Sequence, residues 1–151
     1  MSHAQYIRRE TFISMMINGA LSAAFFLLIF VWFSPVPLWG IGNWIFDFLP
    51  QSFMIGLMST IVPGAITKKR LRDGTVRPSG AQTRLPQSLI LRALLLAAAS
   101  ALIGTAAIAA IAALTGAAEI GWSEAFALKV LYGIILAAIV TPPGLRTSLA
   151  R

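Results

Sequence analysis

Residues 89–114 read LILRALLLAAASALIGTAAIAAIAAL, 26 residues with one charge, Arg92, near the start. The hydrocarbon core of a bilayer is about 30 Å thick, and a helix crosses it with about 20 mostly apolar residues. The run is continuous, whereas a barrel strand alternates apolar and polar side chains over about 10 residues. Backbone groups in hydrocarbon must be satisfied within the segment, and a helix does that. The stretch therefore reads as a spanning helix.

Three further runs share its character. Residues 12–33 contain no charge, 50–67 are shorter and hold Gly56, Pro63 and Gly64, and 124–141 carry Lys129. Of the 151 residues, 58% are hydrophobic and 11% charged, against about 45–50% and about 25% in soluble domains. A soluble globule could not cover four such runs with so few polar residues. The expected fold is all-α: an integral membrane four-helix bundle forming one transmembrane domain over 1–151, with spans at 12–33, 50–67, 89–114 and 124–141. The first run is too long for a signal-peptide core of about 7–15 residues, and no small-x-small cleavage site follows it, so it reads as a retained helix.

Proline marks the expected helix ends. Pro50 and Pro86 stand where helices start, and there the missing N–H costs nothing. Thr141-Pro142-Pro143-Gly144 is expected to end the fourth helix, and Val62-Pro63-Gly64 to kink or end the second. Ser59 and Thr60 are placed to satisfy carbonyls that Pro63 frees.

Basic residues set the orientation. Of twelve Lys and Arg, eleven flank the runs on one side: Arg8 and Arg9, then Lys68 to Arg92, then Arg146 and Arg151. The opposite loops, 34–49 and 115–123, contain none. Lys and Arg collect in cytoplasmic loops, so both termini and the basic loop 68–88 are expected in the cytoplasm, with the protein in a bacterial inner membrane. Trp32, Trp39, Trp44 and Trp122 all fall at the opposite boundary, where an indole sits half buried with its N–H in water. The aromatic outer loop 34–49 reads as an interfacial segment, a partner-docking surface or a lid. In the basic loop, Lys68, Lys69, Arg70, Arg72, Arg77 and Arg84 are expected to contact anionic lipid headgroups. The loop has no aromatic to stack bases, which argues against nucleic acid.

Few residues carry chemistry. Lys129 is the one charge well inside a span, and such charges are costly and often functional. It can snorkel to the outer interface, pair with Asp47, Glu119 or Glu124, or form a ligand site. Arg92 is expected to snorkel to the cytoplasmic edge. Asn18 makes an i, i+4 polar row with Ser14 and Ser22, suited to hydrogen bonds between helices. Every fourth residue from Ala93 to Ala113 is small, which predicts that the third helix is the central packing helix. No cysteine is present, and His3 is the single histidine, so thiolate and imidazole metal sites are not expected. No carboxylate pair, Ser/His/Asp set, Walker A or GxGxxG occurs. No catalytic, cofactor or metal site is expected.

The expected function is non-catalytic: an accessory or assembly subunit of a membrane complex, with a membrane-protein partner or a second copy of the chain. The alternative is a small oligomeric transporter or channel with a site near Lys129 and Asp47, for which Asn18 and Glu124 are further candidates. The absence of cysteine makes the orientation testable. Single cysteines introduced at Ser2, Thr75 and Gly42 should label with a membrane-impermeant thiol reagent from one side for Ser2 and Thr75 and from the other for Gly42.

Overall fold

The structure is a computed structural model and describes residues 2–150. Four helices long and apolar enough to cross a membrane account for most of it: α1 (His3–Phe30), α2 (Phe48–Arg72), α3 (Leu89–Thr115) and α4 (Trp122–Leu149). Two short strands, β1 (Val36–Pro37) and β2 (Glu119–Ile120), pair antiparallel with Val36 opposite Ile120. The bundle is all-α apart from this clasp.

The helices extend beyond the apolar runs. α1 begins nine residues earlier than its run because Ser2 and Gln5 form a capping box, each side chain satisfying the other's backbone N–H. α4 does not stop at Pro142-Pro143. It continues to Leu149, since Leu145 and Leu149 are buried against Tyr6 and the hydroxyls of Thr147 and Ser148 bond carbonyls one turn back. Tertiary burial there outweighs the two lost backbone bonds. α2 likewise passes through Pro63 to Arg72. The Thr60 hydroxyl goes to the Gly56 carbonyl, not to that of Ser59, which proline deprives of a donor.

The chain ends and the loop 73–88 gather at one end. The Ser79 N–H donates to the Leu149 carbonyl at 2.7 Å, and the His3 ring meets the Arg77 carbonyl at 2.9 Å. This basic end lies opposite an aromatic end, where residues 34–47 fold inward as a cap. Val36, Leu38, Trp44 and Ile45 are buried with Phe26, Phe30 and Phe48. The indole N–H groups of Trp39, Trp44 and Trp122 donate to the carbonyls of Ala117, Ala125 and Phe30. The expectation of a surface-lying segment is thus corrected at Trp44, which is buried, while Trp39 is half exposed and Trp32, before the segment, is 90% exposed.

The central position falls to α2 and α4, not to α3. α4 packs between α1 and α2, α2 packs between α4 and α3, and α3 is the least buried of the four. Small residues on α3 do serve close packing, but only over half its length. Ala93, Ala97 and Ala101 are buried, and then the π-helical turn Ser100–Gly104 adds a residue, so that Ala112 is buried and Ala113 exposed. With alanine at so many positions, several faces were equally smooth in sequence, and the partner surface selected among them.

The closest approach of α2 to α3 is at Gly56. A Cβ there would lie 2.7 Å from the Ala97 Cα, a backbone atom that cannot swing away. Gly56→Ala gains up to about 1 kcal/mol in helix propensity and loses about 1–3 kcal/mol to overpacking. The expected result is net destabilisation, read as a lower thermal midpoint of the purified protein in detergent.

Candidate functional site

The polar residues of α1 fall on one row. Tyr6, Glu10, Ser14, Asn18 and Ser22 recur every fourth position and are all buried, with Phe26 and Phe30 continuing the row. Residues four apart share a helix face, and this face looks toward α2 and α4. The polar contacts form three tiers along the bundle.

The tier nearest the aromatic end holds the one charge at depth. Lys129 of α4 is 1% exposed, and its Nζ lies 2.7 Å from Asp47 Oδ2 and 2.9 Å from Gln51 Oε1. The ammonium also stands 3.7 Å from the centroid of the Phe48 ring, within range of a cation–π attraction. Asp47 is the N-cap residue of α2 but makes no side-chain cap, because its carboxylate turns to the lysine. It still benefits from the positive end of the α2 dipole. Gln51 lies one turn on, so both partners project from the same face of α2. The Gln51 amide donates to Ser22 Oγ at 2.9 Å and to the Lys129 carbonyl at 3.4 Å. A Cβ on Gly133 would fall 2.1 Å from Ser22 Oγ, so a glycine on α4 lets α1 come this close.

The middle tier is uncharged. Asn18 Nδ2 donates to the Ser14 carbonyl at 2.8 Å and to Ser59 Oγ at 3.0 Å. Ser14 Oγ donates to Ser59 Oγ at 3.1 Å and accepts from Thr141 Oγ1 at 3.0 Å. Three helices meet in this knot. The third tier, at the basic end, pairs Arg70 with Glu10 at 2.6 Å and the Tyr6 hydroxyl with Thr67 Oγ1 at 2.9 Å.

Because α1 and α2 both lean on α4 and touch each other little, a cleft of about 370 Å³ opens between them. Asn18, Ser22, Gln51, Asp47 and Lys129 line its polar side. Phe25, Ile29, Met54 and Met58 are among its apolar walls.

The expected site residues therefore divide. Lys129, Asp47 and Asn18 come to one cleft. Glu124 does not join them: it is exposed in the first turn of α4 and accepts from Ser123 Oγ. Lys129 pairs with Asp47 and does not snorkel. Arg92 turns to the basic end as expected, but within the bundle. It is buried, and its guanidinium donates to the Pro86 and Gln87 carbonyls and to Ser148 Oγ at 2.6 Å. Of the six loop cations, Lys68, Lys69, Arg77 and Arg84 are exposed, Arg70 turns to Glu10, and Arg72 sits 3.8 Å from Asp73. Sequence reasoning missed Gln51 and Glu10. Both were recoverable from spacing, Gln51 four residues past Asp47 and Glu10 four before Ser14.

No protein family, no curated protein and no solved structure matches this chain. Among the described residues no group of three or more His, Asp or Glu could hold a metal ion.

Lys129→Met leaves Asp47 without its cation. The expected loss is about 3 kcal/mol, the low end for a broken buried pair, since Asp47 keeps 19% of its side chain exposed. In a double-mutant cycle read by unfolding in detergent, Lys129→Met with Asp47→Asn should cost less than the two single losses combined. Strict additivity would show that the pair contributes nothing.

Proposed function

We propose that this chain is a small non-catalytic multi-pass protein of the bacterial inner membrane, acting as an accessory or assembly subunit of a membrane complex. Its basic end would face the cytoplasm, with Lys68, Lys69, Arg77 and Arg84 against anionic headgroups. The observation that carries the reading is the outward face of α3. This helix is held mainly by α2, and Ala106, Ala110 and Ala113, at i, i+4 and i+7, are exposed. Without a hydrophobic force between helices in lipid, association follows close packing of small residues. A smooth alanine face suits another helix better than it suits acyl chains. Lys129, Glu10 and Arg92 are each engaged within the chain, as charges that hold helices together are.

Cross-linking in native membranes, followed by purification in mild detergent and mass spectrometry, tests this. The expected result is a stoichiometric membrane partner or a second copy, lost when Ala110→Phe roughens the face. A chain that purifies as a lone monomer, with no cross-linked partner, overturns it.

One observation favours a second reading, a small oligomeric transporter or channel. The cleft joins Asn18 to Lys129 and Asp47, and about 370 Å³ is within the range of small-ligand sites. Under that reading Asn18→Leu alters solute flux in reconstituted vesicles while assembly is unchanged. Under the first reading it leaves flux at background.

A further inference from the structure

A separate groove opens at the basic end between α1 and α4, with a volume of about 530 Å³. Its floor is apolar, from Ile7, Phe12, Met15 and Pro142, and Arg8 and Arg146 stand at its rim. Arg8 precedes Phe12 by one helical turn and Arg146 follows Pro142 by one, about 6 Å of rise in each case. The two guanidiniums therefore sit at the level where the apolar runs give way to water, with hydrocarbon-facing side chains directly beneath them.

Both arginines are exposed, and neither forms an ion pair among the described residues. The nearby acid Glu10 is held by Arg70, and Asp73 faces Arg72. Asp47, Glu119 and Glu124 lie at the aromatic end.

We propose that this groove binds one anionic phospholipid. The phosphate lies between Arg8 and Arg146, and an acyl chain follows Phe12, Met15 and Pro142. Arginine recognises phosphate with paired N–H donors, and basic pockets between spanning helices are suited to anionic headgroups. The loop cations Arg77 and Arg84 are exposed as well, but neither lines this groove. The site is independent of whether the chain serves a complex or carries a solute.

Native mass spectrometry of the full chain in a neutral detergent tests the proposal, with phosphatidylglycerol as probe and phosphatidylcholine as control. The wild type should retain one phosphatidylglycerol per chain, about tenfold in preference to phosphatidylcholine. Arg8→Gln with Arg146→Gln should abolish that preference. Arg77→Gln with Arg84→Gln, which removes the same charge from the loop, should keep it. Equal loss in the loop variant would mean diffuse attraction and overturn the site, as would equal retention of the two lipids. Displacement by excess inorganic phosphate alone would identify a free-anion site and overturn the lipid assignment. Should the double arginine variant fail to fold, the single variants Arg8→Gln and Arg146→Gln serve in its place. Each must weaken retention, and retention equal to the wild type counts against the proposal.

Discussion

A lysine within a membrane-length helix constrains everything around it. An unpaired Lys at the centre of a span costs about 2.5–3.5 kcal/mol even on the mildest scales, which is a large fraction of the stability of a small domain. Lys129 meets that constraint with a carboxylate, a side-chain amide and an aromatic face, all supplied by the first turns of α2. Asp47 and Gln51 must therefore lie against α4, and the start of α2 is fixed about two turns into it. The cap of residues 34–47 follows, since the chain has to return from Phe30 to that point. The β1–β2 clasp and the inward-turned tryptophans seal the same corner.

Polar contacts do in this bundle what apolar burial does in a soluble one. Lipid is as apolar as leucine, so burying leucine between helices gains little. The inner face of α1 is accordingly polar over most of its length, from Glu10 to Ser22, and the phenylalanines join it only at the aromatic end. Each neutral interhelical bond contributes about 0.6–2 kcal/mol, and the tiers at Asn18, Lys129 and Arg70 together hold α1, α2 and α4. The mostly apolar α3 is held by close contact at Gly56 and by Arg92, which donates to Ser148 of α4. That difference leaves α3 with the most uncovered surface, and it leaves a cleft where α1 and α2 diverge around their shared neighbour.

Some of this was legible at the level of residues. The apolar runs gave the number of helices, and the segregation of eleven basic residues matched the gathering of both termini and the 73–88 loop at one end. Pairing of Lys129 with Asp47 was one of several options that sequence allowed. The choice among Asp47, Glu119 and Glu124 depended on which helix end faced Lys129, and that is a three-dimensional fact. Helix length was misread at Pro142-Pro143 because proline's local cost is visible in sequence, whereas the burial of Leu145 and Leu149 against Tyr6 is not. The central role assigned to α3 failed for a related reason: in an alanine-rich helix, smallness carries no direction.

The sequence alone determined the solvent of this protein, the number of its helices and the end at which its positive charge collects. Those follow from run length, composition and charge position, quantities additive along the chain. Tertiary structure alone decided which helices are central, which carboxylate meets Lys129, where the π turn re-phases α3, and where clefts remain. Those depend on contacts between residues as far apart as Ser14 and Thr141, whose pairing no local preference encodes.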